Sequence, residues 1–288
     1  MELVSIITPS YNSSKFIAET IESILAQTYT NWELLITDDC STDNSVEIIS
    51  KYAAQDNRIR IFYLEKKSGA GFARNKSIQE AKGRFIAFCD SDDLWKPNKL
   101  EKQITFMMDN KVGLSYSNYD VINENGVFQR EIVSPPKVDY YKMLKNDYIG
   151  CLTVVYDTTL VGEIFIPPVE RNQDWILWLN ILKKGSIASN VNDNLAMYRK
   201  RKNSLSSNKF VALKCNWKVY REYENFSFIN SCFHIIRYVI YYLIKNLTMR
   251  CAPSISGKTF TNAYPNTATT VISSENFELF LTDKFVKE

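Results

Sequence analysis

Four short apolar runs set the terms for the first third of this chain. They are LVSIIT (3–8), WELLIT (32–37), IRIFYL (59–64) and RFIAFC (84–89). Runs of this length read as strands, the first and fourth of them buried. The segments between them carry a helical period. From Ser13 or Ser14, either of which can act as a cap, a helix runs to about Gln27 with Ile17, Ile21, Ile24 and Leu25 on one face. SVEIISKYAAQ (45–55) reads as a second helix and 71–82 as a third, with Gly83 as its C-terminal signal. A fourth covers 96–108 and holds Pro97 in its first turn. This alternation predicts a parallel sheet with helices on both faces.

Ligands of such sheets gather beyond the carboxyl ends of the strands. Pro9, Tyr11 and Asn12 follow the first strand, Asp38 and Asp39 the second, and Asp90, Asp92 and Asp93 the fourth. All three groups therefore belong to one edge. Clustered carboxylates repel one another and need a counter-charge. A hard divalent cation supplies it, and Mg²⁺ in particular is held by one or two carboxylates together with substrate phosphates. The usual glycine loops for phosphate are missing: there is no G-x-x-x-x-G-K-[ST], and no G-x-G-x-x-G follows the first strand. SGAGFARN (68–75) offers a G-x-G in a loop and an Arg74 that can reach a phosphate or a base. The pattern points to a nucleotide whose phosphates are neutralised by metal, with Asp38 or Asp39 accepting a hydrogen bond from a base imide or a ribose hydroxyl.

Composition excludes several other classes. A net charge of +3 over 288 residues gives no bias toward nucleic acid. The six cysteines are scattered without a C-x-x-C pair, which argues against zinc and for a reducing, cytoplasmic setting. Glu2 follows Met1 and the first apolar run is short, so no signal peptide is expected. The single histidine, His234, stands in an apolar segment, which leaves no partner for a serine or cysteine nucleophile.

The second half is mixed. GLSYSNYDVI (113–122), the turn NENG (123–126) and VFQREIV (127–133) predict a hairpin, and DWILWLNILKKG (174–185) a helix with Gly185 beyond its end. Trp175 and Trp178 read as core more readily than as an acceptor platform. FINSCFHIIRYVIYYLIKNL (228–247) is very apolar yet carries Asn230, His234, Arg237 and Lys245 on one stripe. That fits an amphipathic helix better than a membrane span. Residues 214–250 hold six Lys/Arg against two Glu, and basic with aromatic residues suit an anionic membrane surface. Residues 251–288, rich in Ser, Thr and Asn, read as a loosely ordered tail.

Four segments occur in order: SIITPSYN, ITDDCSTDNS, GAGFARNKSIQEAKGRFIAFCDSDD and NQDWILWLNILKKG. Together they resemble the inverting glycosyltransferases of family 2, over about residues 3–205. IGCLTVVYD and SLSSNK are similar to bacterial cell-envelope members, the teichuronic acid type among them. The resemblance implies a GT-A fold: a Rossmann-like, mostly parallel sheet flanked by helices. It implies a domain over 1–210, with a nucleotide-binding half (1–110) and an acceptor half (111–210), followed by a membrane-proximal helical appendage over 211–250. By the same resemblance Thr8, Pro9 and Tyr11 line the base pocket, and Asp39 reads the uracil with Asp38 as its alternative. Arg74 lies near base and diphosphate. Asp90 and Asp92 form the D-x-D element that holds ribose and Mn²⁺ or Mg²⁺, with Asp93 sharing the metal role. Asp174 matches the general base, although Gln173 stands where the family pattern has Glu. The expected reaction moves a sugar from a UDP-sugar to a lipid-linked or growing surface glycan. It would take place in the cytoplasm, peripheral on the inner face of the membrane.

Two other classes fit parts of the pattern. A nucleotidyltransferase that makes sugar nucleotides shares the frame and the acidic site, but needs a glycine-rich basic loop where this chain has PSYNSSKF with Lys15 alone. A non-catalytic partner subunit with a relic site is at odds with the intact Asp90, Asp92 and Asp174.

Overall fold

A computed structural model describes residues 1–167, 169, 171–201 and 209–251. The chain runs β1 (Val4–Ser10), α1 (Ile17–Leu25), β2 (Trp32–Asp38), α2 (Ser45–Gln55), β3 (Ile59–Tyr63), α3 (Ala70–Glu80) and β4 (Phe85–Phe88). These four strands are mutually parallel, in the order β3-β2-β1-β4. Their alternating side chains feed two cores. Val4, Ile6, Leu34 and Ile36 belong to one, Ile7, Leu35 and Phe88 to the other, so the middles of β1 and β2 are apolar on both faces.

The sheet then continues through the second half. β9 (Val155–Asp157) pairs antiparallel with β4 and with β6 (Leu114–Ile122), and β6 pairs parallel with the long β10 (Ala188–Arg199). β10 also takes β5 (Leu94–Trp95) on its far side, while β7 (Phe128–Ile132) forms the expected hairpin with β6. β8 (Lys137–Val138) pairs with β10. The remaining helices are α4 (Lys99–Asn110), α5 (Tyr140–Met143), α6 (Thr158–Val161), α7 (Gln173–Leu182), α8 (Lys209–Lys218) and α9 (Phe228–Cys251). Residues 1–243 form one unit and 244–288 a second. The tail expected over 251–288 lies outside the described residues, apart from Cys251 at the end of α9.

Local readings shift where tertiary contacts intervene. Neither Ser13 nor Ser14 caps α1 with its hydroxyl. The Ser13 hydroxyl shares a hydrogen bond with Ser10, and the Ser13 carbonyl accepts from the N–H groups of Phe16 and Ile17. Pro97 precedes α4, because Leu94 and Trp95 are captured as a strand by β10 and the helix starts only at Lys99. Gly83 is not a helix C-terminal signal, since α3 stops at Glu80. A Cβ on Gly83 would stand 2.6 Å from the backbone N of Ser5 and 2.7 Å from the Leu3 carbonyl, so the glycine lets the chain pass close over β1. Gly185 does have the left-handed φ of 86° expected beyond α7, and its N–H returns to the Leu182 carbonyl.

Candidate active site

Parallel pairing brings the three predicted groups to one edge. Ser10 lies beside Asp38 in register, the Asp39 N–H donates to the Ser10 carbonyl, and the Cys89 N–H donates to Ile7 just before Asp90. Thr8 and Pro9 are buried within the β1 register, and the Thr8 hydroxyl has no hydrogen-bond partner. Tyr11 is open to solvent with the Lys67 ammonium 3.8 Å from its ring centre. Asp38 accepts from the N–H and hydroxyl of Ser41. Asp39 accepts from the N–H groups of Ser68 (2.6 Å) and Gly69 (2.8 Å), which tethers the loop that leads into α3. Gly69 needs no Cβ there because its φ is +96°.

α3 delivers Arg74, buried to 8% exposure, into the centre of this edge. Its guanidinium donates to Asp90 Oδ1 (2.6 Å) and to Gln173 Oε1 (3.0 Å). Burial works against its charge, but the carboxylates of Asp90 and Asp174 outweigh that and hold the arginine ionised. Gln173 is the first residue of α7, so one side chain joins the end of β4 to the helix that carries Asp174. Gly71 makes room for the joint, because a Cβ there would lie 3.0 Å from the Gln173 amide. Gln173 therefore serves as a neutral acceptor for Arg74, a role the sequence motif did not announce.

The three aspartates after β4 have different surroundings. Asp90 faces Arg74. Asp92 Oδ2 meets the Arg201 guanidinium at 2.8 Å. Asp93, only 2% exposed, accepts the Arg199 N–H on Oδ1, and its carbonyl accepts from Thr20. Burial raises the pKa of Asp92 against the pull of Arg201, with Asp90 adding to the rise. Burial, then Asp92 and Asp90, push Asp93 well above the carboxylate range. Below the loop, Cys89 is fully buried and its thiol is pushed up by burial and by Asp93.

Asp174 stands at the start of α7 and accepts the Trp175 N–H (3.0 Å). Burial raises its pKa, Arg74 opposes that, and Asp90 adds to it. Trp175 and Trp178 are both core: the first donates to the Met143 carbonyl, and the second packs edge-on against Phe88 with ring centres 5.7 Å apart. Asp147, on the loop after α5, carries no motif in the sequence. Water reaches its surface, yet protein crowds it. That crowding, and after it the charge of Asp174, push its carboxyl well above the ordinary range. Only the folded chain places these two acids together.

Among the described residues, no three His, Cys, Asp or Glu side chains converge into a ready cation cage. The donors nevertheless fit Mg²⁺ or Mn²⁺ of the kind completed by substrate. Asp90 and Asp92 are hard carboxylates after one strand, and each is balanced by an arginine.

A mostly parallel sheet with these acids at its carboxyl edge defines a GT-A type transferase. The model of glycosyl transferase family 2 matches residues 5–161. The chain belongs to that family and is a glycosyltransferase. It is 45% identical over 82% of its length to TuaG of Bacillus subtilis (strain 168), covering 94% of that protein, which is provisionally named a teichuronic acid biosynthesis glycosyltransferase. It is 42% identical over 89% of its length to WfgD of Escherichia coli, covering 98% of that chain, a UDP-Glc:alpha-D-GlcNAc-diphosphoundecaprenol beta-1,3-glucosyltransferase. The fold is that of S. aureus TarS 1-349, solved in complex with UDP-GlcNAc. The TM-score is 0.63 and the identity 22%, with 83% of this chain and 72% of that one covered.

Proposed function

We propose that this protein transfers a sugar, with inversion, from a UDP-sugar to a hydroxyl of a lipid-linked or growing cell-envelope glycan. The observation that carries the reading is the Arg74 bridge, which sets Asp90 after β4 and Asp174 on α7 around one buried cation. Donor and acceptor chemistry need such a juxtaposition.

In this reading Tyr11 stacks on the base, Thr8 and Pro9 form the floor beneath it, and Asp39 accepts from the uracil imide, with Asp38 as the alternative. Asp90 and Asp92 would hold Mg²⁺ or Mn²⁺, which when bound would neutralise charge on the departing diphosphate. Asp93 contributes by keeping the loop in place through Arg199. Arg74 keeps Asp90 oriented and adds positive charge beside the phosphates. Asp174 takes the proton from the acceptor hydroxyl as that oxygen attacks the anomeric carbon. A single displacement needs no enzyme nucleophile, in keeping with the buried thiol of Cys89. Among the described residues no helix is long and apolar enough to cross a membrane, so a lipid-linked acceptor would be met from the membrane surface. WfgD, whose named acceptor is a diphosphoundecaprenol lipid, supports that acceptor class.

The test is metal-dependent release of UDP from a panel of nucleotide sugars. Asp92→Ala and Asp174→Ala are each expected to abolish transfer while thermal melting stays near that of the parent. Asp174→Ala should still bind UDP. Turnover at the parental rate in Asp174→Ala would remove it from the role of base.

A further inference from the structure

We propose that the outward face of α9 lies flat on an anionic lipid surface. This deepens the reading of a membrane-borne acceptor by naming the part of the chain that meets the bilayer. Ile229, Phe233, Ile236 and Ile240 are 79%, 60%, 58% and 47% exposed. Their spacing of four, three and four residues puts them on one side of the helix. Phe228, at 64% exposure, precedes the stripe and packs edge-on against Trp217. Single exposed apolar residues are ordinary, but a continuous stripe of large ones is not.

The orientation of the stripe is set by the opposite side. Ser231 is fully buried and donates its hydroxyl to the Ser227 carbonyl. Ile235 packs against the core that contains Tyr220, and the His234 ring stacks on Tyr220 and on Phe226, each at 5.0 Å between centres. The helix is therefore anchored by one face with its apolar stripe turned away. The polar residues that share a stripe in the sequence, Asn230, His234 and Arg237, form the edge between these two faces. At about 100° per residue they sit roughly a quarter turn from the apolar stripe. Arg237 reaches back to His234 Nδ1 (2.9 Å) and lies 5.6 Å from the Phe233 ring centre.

Charge selects the occupant. From Phe226 to Cys251 the sequence has no Asp or Glu, but has Arg237, Lys245 and Arg250. A second copy docked on the stripe would bring no acid from this stretch to pair with these cations. Anionic headgroups complement them, while the acyl boundary accepts isoleucine and phenylalanine. A helix of this kind lies in the interface and does not span it.

The experiment is flotation of the full chain with vesicles of phosphatidylglycerol and phosphatidylethanolamine in equal parts, alongside vesicles of phosphatidylcholine alone. The protein should float with the anionic vesicles, less so at high salt, and weakly with the neutral ones. Phe233→Ser and Ile236→Ser, made singly and as a double variant, alter only exposed positions. Each should weaken partition by roughly tenfold, with circular dichroism unchanged and transfer to a short water-soluble acceptor analogue retained. Equal flotation of parent and double variant overturns the proposal, as does a parent that floats with neither vesicle. A parental dimer in light scattering that the double variant dissociates also overturns it, in favour of a second copy. Loss of transfer to the soluble analogue in the parent itself would count against the enzymatic reading and leave lipid docking standing.

Discussion

Two carboxylates that no motif joins, Asp147 and Asp174, lie close enough to feel each other's charge, and Arg74 pulls against the second. As the proposed base Asp174 would have to be ionised, yet burial and neighbouring negative charge favour its protonated form. Like charges act on each other reciprocally, so the pair titrates as a unit. Asp174 pushes Asp147 up, so Asp174 ionises first and Asp147 keeps its proton to higher pH. Asp147→Asn is expected to leave the acid limb of the kcat/KM profile in place, with transfer retained at neutral pH. A limb that moves to lower pH would show that Asp147 is already ionised while Asp174 titrates. Asp174 was legible in the sequence because it sits in an ordered motif. Asp147 was not, because its meaning comes only from a loop folded against α7. The same holds for Gln173: the sequence marks it as a departure from Glu, and only the structure shows its amide oxygen holding Arg74.

At the scale of elements, the strands and helices of the first half follow from apolar period alone, and the discrepancies lie at their ends. Ends are decided by what the neighbouring segment offers. Gly83 reads as a helix stop but is a close-packing glycine over β1. Gly83→Ala would drive a methyl into the backbone of Leu3 and Ser5, with expected destabilisation of about 2 kcal/mol or more in urea unfolding. Gly71→Ala provides the contrast. Its Cβ would meet only the end of the flexible Gln173 side chain, and alanine favours the helix, so stability should hold within about 1 kcal/mol. Transfer should fall nonetheless, because the displaced amide no longer holds Arg74.

The loops between elements are tied by a second acid outside the site. Asp43 accepts from the Ser14 N–H (3.0 Å), the Ser45 N–H (3.0 Å) and the Ser45 hydroxyl, linking the loop before α1 to the start of α2. Burial raises its pKa, but these hydrogen bonds together outweigh that and lower it from 3.8 to about 2. A lowered folded-state pKa means stability that is complete above the ordinary carboxylate range and is lost as pH falls through about 2. Asp43→Ala should therefore cost about 1–2 kcal/mol at neutral pH. The gap from the parent should close in acid melts below about pH 4. A gap that persists undiminished in acid would assign the loss to something other than the ionised carboxylate.

For the molecule, the consequential feature is that the sheet does not stop where the sequence changes character. The nucleotide and acceptor halves read as separate stretches because the second has irregular, short strands. Yet β4 pairs with β9, β9 with β6, and β5 crosses to β10. No periodicity could announce those pairings, since each joins residues far apart in the chain. Arg199 at the end of β10 concentrates the dependence. Its backbone N–H donates to Asp93, while its guanidinium donates to the Asp92 carbonyl (2.9 Å), the Glu124 carbonyl (3.1 Å) and the Glu19 carboxylate (2.6 Å). One buried cation thus holds α1, the acidic loop after β4 and the hairpin turn after β6. Arg199→Met keeps much of the volume but takes the donor from two backbone carbonyls, while the exposed Glu19 can turn to water, so the loss should be about 2 kcal/mol or more. Because the halves share one sheet, urea unfolding followed by tryptophan fluorescence and by circular dichroism should give coincident transitions, shifted together in the variant. Separate transitions, with only one of them moved by the substitution, would show that the halves fold independently.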